Sequence, residues 1–93
     1  MTFEEHCQES ERIFGKPYPE IHLWLDEFFP ALGARHRRKR HHEAGIREAV
    51  RVFGPVAGPV ARRHIISDLE LEGWTENDPF PEDEEHYVRI GLF

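Results

Sequence analysis

A single cysteine, Cys7, stands among 93 residues, which excludes a disulfide framework and any cysteine-based zinc finger. Long apolar runs are missing as well. The best stretch, Ile21 to Leu32, is interrupted by Asp26, Glu27 and Pro30, well short of the roughly 18 apolar residues of a membrane-spanning helix. The opening MTFEEHCQES is acidic where a signal peptide needs a basic and then an apolar stretch, so the expectation is a cytoplasmic protein with no membrane association. A glycine-rich phosphate loop, a G-x-S-x-G elbow and an H-E-x-x-H pair are all absent, as are internal repeats. Cys7 follows His6, but neighbours on a helix diverge by about 100°, which argues against a Cys-His nucleophile pair.

What is present is a chain 39% apolar, 32% charged and 12% aromatic, too aromatic for a disordered segment and too charged for a membrane span. Its length supports one core and therefore one domain, residues 1–93. The outlier is histidine, with seven residues in 93. Charge is sorted along the chain: residues 1–34 sum to −5, residues 35–63 to +7 and residues 64–93 to −8. A basic middle between acidic ends either presents a local stripe or neutralises itself against those ends, and the second needs no partner.

Helical periodicity organises the first three quarters. Thr2 and Glu5 have capping-box spacing, and Phe3, Cys7, Ser10 and Phe14 recur at helical intervals up to Gly15, predicting a helix over about 3–14. Pro19 suits a first helical position, and Ile21, Trp24, Leu25 and Phe28 form a stripe over about 20–29. Ala34 to Phe53 reads as one long helix carrying the basic residues, closed by Gly54-Pro55. After a Pro/Gly connector at 54–59, Ala61, Ile65 and Leu69 mark a fourth helix to about Glu70. Residues 86–90 alternate too poorly to separate helix from strand. The fold class expected is mainly α: a compact four- to five-helix single domain, with core 2–72 and a loosely packed acidic tail over 73–93.

The histidines fall into a pattern. His22 and Asp26, and again His64 and Asp68, lie four apart and stack on one helix face. In a continuous third helix, His42 points inward with Ile46, Val50 and Phe53, while His36 and His41 lie on opposite flanks. His6 leans toward the core beside the first helix's stripe. Neutral imidazoles with carboxylates between facing helices suit a divalent cation such as zinc, manganese, nickel or iron. The expected direct ligands are His22, His42, His64 and Asp68, with Asp26 and His36 orienting them or substituting for them. The competing reading of each pair is local, an i, i+4 hydrogen bond satisfying a half-buried ring, with the whole set acting as a polar core.

The run Arg35-His36-Arg37-Arg38-Lys39-Arg40-His41-His42 can bind anions, and Arg37 and Arg40 are the candidate contacts. Successive helical residues point all round the helix, however, and no aromatic interleaving marks a single-strand binder. The leading expectation is a metal-binding domain, extended to a metal-dependent hydrolase of a phosphorylated small molecule or nucleic acid. The alternative is a non-enzymatic interaction module that binds a protein or nucleic acid through the basic helix. A third reading adds homo-oligomerisation, with self-association covering the aromatic excess. The order His64, Asn77, His86 is a weak echo of an HNH nuclease in an unsuitable acidic context. The His and Asp content echoes an HD-type phosphohydrolase without its adjacent His-Asp.

His6, Ser10, Phe14-Gly15, Ile21-His22, Trp24, Asp26, His36-Arg37, Arg40-His41-His42, Gly45-Ile46, Phe53-Gly54, His64-Ile65 and Asp68-Leu69 together form a pattern over residues 6–69. It resembles a small histidine-rich helical family of bacterial and phage proteins that is classed as a domain of unknown function. The sequence departs from that family after Gly54, where similar members carry a longer, hairpin-like insertion, and again after Gly73. The resemblance implies a compact helical domain and assigns it no activity.

Overall fold

In a computed structural model describing residues 1–92, the capping box closes as its spacing predicts. Thr2 Oγ1 accepts from Glu5 N at 3.1 Å, and Glu5 Oε1 accepts from Thr2 N at 2.9 Å. Helix α1 then runs Phe3–Phe14 and stops at Gly15, whose φ of 87° suits a residue without a Cβ. Helix α2 is Pro19–Leu25, shorter than the predicted 20–29. The chain leaves the helix at Asp26 (φ −104°, ψ 13°) and restarts as the single turn α3, Phe29–Leu32.

The long third helix is a correction. Residues 34–53 divide into a 3-10 turn at Gly33–His36, a single turn α4 at Arg37–Arg40, and helix α5 at Glu43–Phe53. The break falls at His41 (φ −85°, ψ 60°) and His42 (φ −161°, ψ 175°). His42 is the N-cap of α5: its Nδ1 accepts from Gly45 N at 3.0 Å, and its Nε2–H donates to Arg38 O at 3.0 Å. Gly45 makes the elbow possible, because a Cβ there would sit 1.8 Å from Arg40 O. An unfavourable helix residue in a run of good helix formers is thus required by a backbone that folds back on itself.

Helix α6, Ala57–Leu71, is the central element. Ala57, Val60, Ala61, Ile65 and Leu69 are fully buried against Ile21 and Leu25 of α2 and Ile46 and Ala49 of α5. Burial of a side chain such as Ile65 contributes about 1.5–3 kcal/mol, and the alanines let helices approach closely. Arg62 forks onto Glu43 with two bonds of 2.8 Å and ties α6 to the start of α5.

The acidic tail is packed rather than loose. Glu43 N and Ala44 N donate to Pro81 O and Glu82 O. Asp83 caps the short helix α7, Glu84–Arg89, and its Tyr87 is fully buried. Helix α7 lies against α4, where Lys39 pairs with Glu84 at 3.3 Å. The described residues are mainly α, with four principal helices, the shorter α7, two single α turns and one 3-10 turn. None of their helices is long and apolar enough to cross a membrane.

Candidate metal centre

The buried face of α6 presents His64 and, one turn later, Asp68. Asp26 comes from the end of α2 with His22 one turn before it, and α1 contributes His6 and Ser10. The elbow between α4 and α5 brings in His41, and the 3-10 turn brings in His36. Six of the seven histidines are buried, all but His86, whose Nδ1 accepts from Glu82 N at 2.9 Å in the tail.

Asp26 Oδ1 is the hub. His36 Nε2 lies 2.9 Å away, His64 Nε2 3.2 Å and His41 Nε2 3.3 Å. Asp68 Oδ2 closes the group at 3.5 Å from His64 Nε2 and 3.6 Å from His41 Nδ1. One ligand atom from each of Asp26, His41, His64 and Asp68 falls within 4.8 Å of all the others. His6, His22 and His64 form a second close group. There, His6 stacks on His64 with centroids 3.7 Å apart, and its Nε2–H donates to Asp68 Oδ1 at 3.1 Å.

Behind His64 runs a hydrogen-bonded line. With neutral rings and ionised carboxylates one assignment satisfies every bond. Ser10 O–H donates to His22 Nε2 at 2.6 Å, His22 Nδ1–H to His64 Nδ1 at 2.8 Å, and His64 Nε2–H to Asp26 Oδ1. His36 differs, because its Nδ1 faces Gly33 O at 2.7 Å and its Nε2 faces Asp26. Both partners are acceptors, so the ring is held between a backbone carbonyl and a carboxylate.

Burial governs the protonation equilibria. It lowers His22 to about 4, reinforced by His6 and opposed by Asp26 and Asp68. It lowers His64 to about 3 against the pull of Asp26, and it lowers His41 as well. Burial acts in the opposite direction on the carboxylates and is overcome. The imidazoles of His36, His41 and His64 hold Asp26 far below the usual range, and those of His6, His64 and His41 hold Asp68 at about 2. The neutral imidazoles and ionised carboxylates needed for metal ligation coexist near neutral pH.

Of the six predicted metal residues, Asp26, His64 and Asp68 meet in one group with His41, which was expected on a flank. His36 touches the group through Asp26, and His22 through His64. His42 stands apart, with both ring nitrogens bonded to backbone. His42 is held there because it caps α5, while the ring nitrogens of His36 and His41, expected on opposite flanks, both reach Asp26 Oδ1.

The candidate anion contacts separate too. The Arg40 guanidinium lies 3.9 Å over the Trp24 ring and 4.8 Å over Phe28, donates to Trp24 O at 2.6 Å and pairs with Glu27 at 2.9 Å. It is internally satisfied. Arg37 pairs with Glu72 and lies 3.8 Å from Asp68.

Residues 1–77 match the model of a family described as a domain of unknown function, DUF6915. The chain belongs to that family. The resemblance read over residues 6–69 is borne out, and the match covers every His and Asp of the two close groups while stopping short of α7. No curated protein and no solved structure matches the chain. Within this DUF6915 chain the arrangement itself is the guide to chemistry. It can hold a cation between two carboxylates and two imidazoles, and it can pass a proton along the Ser10–His22–His64 line.

Proposed function

We propose that this protein is a metal-binding domain in which Asp26, His41, His64 and Asp68 hold one divalent transition-metal ion. The observation that carries the reading is His41. Its ring is 1% exposed and sits between two carboxylates, yet neither nitrogen has a hydrogen-bond partner. In either neutral tautomer a lone pair faces a carboxylate oxygen, a repulsive arrangement in a buried site. A cation between the groups converts that repulsion into ligation.

Spacing and charge support the same reading. Ligand atoms about 2.0–2.2 Å from a tetrahedral zinc lie about 3.4 Å from one another, close to the 3.2, 3.3 and 3.5 Å separations about His64 and Asp26. Two carboxylates neutralise a divalent charge, and imidazole suits zinc, nickel, iron or manganese. His36 orients Asp26, and His22 orients His64 through the nitrogen not used for the metal. Four protein ligands close a tetrahedral site, so a bound ion would supply Lewis acidity or an activated water, the chemistry of a hydrolase acting on phosphoesters, by taking up a fifth position beside them.

Elemental analysis of untagged protein tests the reading, together with thermal melts with and without a chelator. Near-stoichiometric metal and a chelator-induced fall in Tm are expected. Absence of metal after exposure to zinc, manganese, nickel and iron, with no change in Tm, would leave the histidines as a polar core.

A further inference from the structure

We infer that the cleft beside the metal centre binds a phosphate monoester carrying a flat aromatic group. This rests on the metal reading above and names the ligand class of the same site.

The cleft has a volume of about 360 Å³, within the range of small-molecule sites. Its apolar lining includes Phe3, Phe29 and Pro30; its polar lining includes Asp26, His36, Arg37, Asp68 and the Met1 amino group, 3.5 Å from Asp68 Oδ1. Asp26 and Asp68 are ligands in the proposed centre, so a molecule in the cleft lies against their carboxylates and would meet the ion through a fifth coordination position on that side. Phe29 is 57% exposed and Phe3 38%, leaving aromatic surface for a planar group to cover.

The polar side selects the charge. Without a cation, Asp26, Asp68 and the Glu72 carboxylate beside Arg37 repel an anion. A divalent ion would neutralise Asp26 and Asp68, leaving Arg37 as the side-chain cation on this part of the cleft lining. Glu72 engages Arg37 Nη1 alone and so holds the guanidinium plane in place. Nη2 reaches Asp68 only at 3.8 Å, and Nε is buried without a partner among the described residues. Arg37 therefore keeps Nη2 as a charged donor for a phosphoryl oxygen. A phosphoryl group offers three terminal oxygens, enough to contact the ion and Arg37 together. A carboxylate has only two.

The test is calorimetric titration of the full chain, zinc-loaded and zinc-free, with phenyl phosphate and with inorganic phosphate, metal content being measured after each titration. The zinc-loaded protein should bind phenyl phosphate about tenfold more tightly than inorganic phosphate, and the zinc-free protein should bind neither. Phe29→Ala should remove the phenyl advantage and leave inorganic phosphate binding unchanged, which also reports that the variant is folded. Arg37→Lys should weaken both ligands about tenfold while zinc content holds. If zinc loads stoichiometrically but phenyl phosphate does not bind, or binds equally without zinc, the inference falls and the metal reading stands. If no metal loads, both fall.

Discussion

His22 and His64 meet nitrogen to nitrogen, Nδ1 to Nδ1 at 2.8 Å, so one ring donates and the other accepts, and their tautomers are tied. Metal ligation through His64 Nε2, as proposed, would move that ring's proton to Nδ1. His22 must then carry its proton on Nε2, facing Ser10. Nitrogen NMR of the imidazoles should show both tautomers inverting as zinc is added, with no change in net ring charge. Unchanged tautomers at saturating zinc would remove His64 Nε2 from the ligand set.

Adjacent histidines should behave oppositely on substitution. His41→Ala is expected to abolish stoichiometric metal binding, because it deletes a ligand of the proposed centre. His42→Ala is expected to cost about 1 kcal/mol through loss of the α5 cap and to leave metal content unchanged. Denaturant melts paired with metal analysis separate the two, and loss of metal in folded His42→Ala would contradict the assignment.

Gly45→Ala inverts the usual rule. In an ordinary helix the change stabilises by about 1 kcal/mol, but here the new Cβ would meet Arg40 O at 1.8 Å. A loss of about 3 kcal/mol is expected, at the upper end for overpacking, together with weaker metal binding as the elbow opens. A higher Tm would mean that α4 and α5 are not bent at this point.

Acid should unfold the metal-free protein early. His22 falls from 6.5 to about 4 and His64 from 6.5 to about 3 on folding. With folded values depressed, the unfolded chain takes up protons first as pH drops below 6.5. Stability is therefore complete above that pH and declines on acidification by on the order of 1 kcal/mol per pH unit for each ring. Asp68, held at about 2, adds a further loss below about pH 4. Melts from pH 7.5 to 4 should show a steady fall in Tm that begins above the carboxylate range, whereas a flat profile down to pH 5 contradicts it.

Arg40 is expected to act in packing rather than in anion binding. Arg40→Ala removes a cation stacked on Trp24 and a hydrogen bond to its carbonyl, and should cost about 1–2 kcal/mol. Phosphate affinity of the zinc-loaded protein should stay unchanged, and a selective loss of that affinity would place Arg40 at the ligand.

Local signals in the sequence carried well. The Thr2/Glu5 box, the Gly15 stop, Pro19 at a helix start and the Ile65/Leu69 stripe all correspond to what folds, because capping and periodicity act within one or two turns. The break at 41–42 was less legible. Its cap is a histidine, outside the usual Ser, Thr, Asp and Asn, and the only local hint is Gly45 in a run of helix formers.

The residues 1–71 determine by themselves a set of amphipathic helices and a surplus of imidazole and carboxylate with ligand spacing at 22/26 and 64/68, since each of these is a short-range property. Which side chains share a site was decided only by the tertiary structure. His41 replaces His42 beside Asp26, His64 and Asp68 because α5 turns back on α4 at Gly45 and α6 packs between α2 and α5. Convergence of groups as far apart as residues 26 and 68 depends on how those helices cross, and no spacing within one helix encodes it.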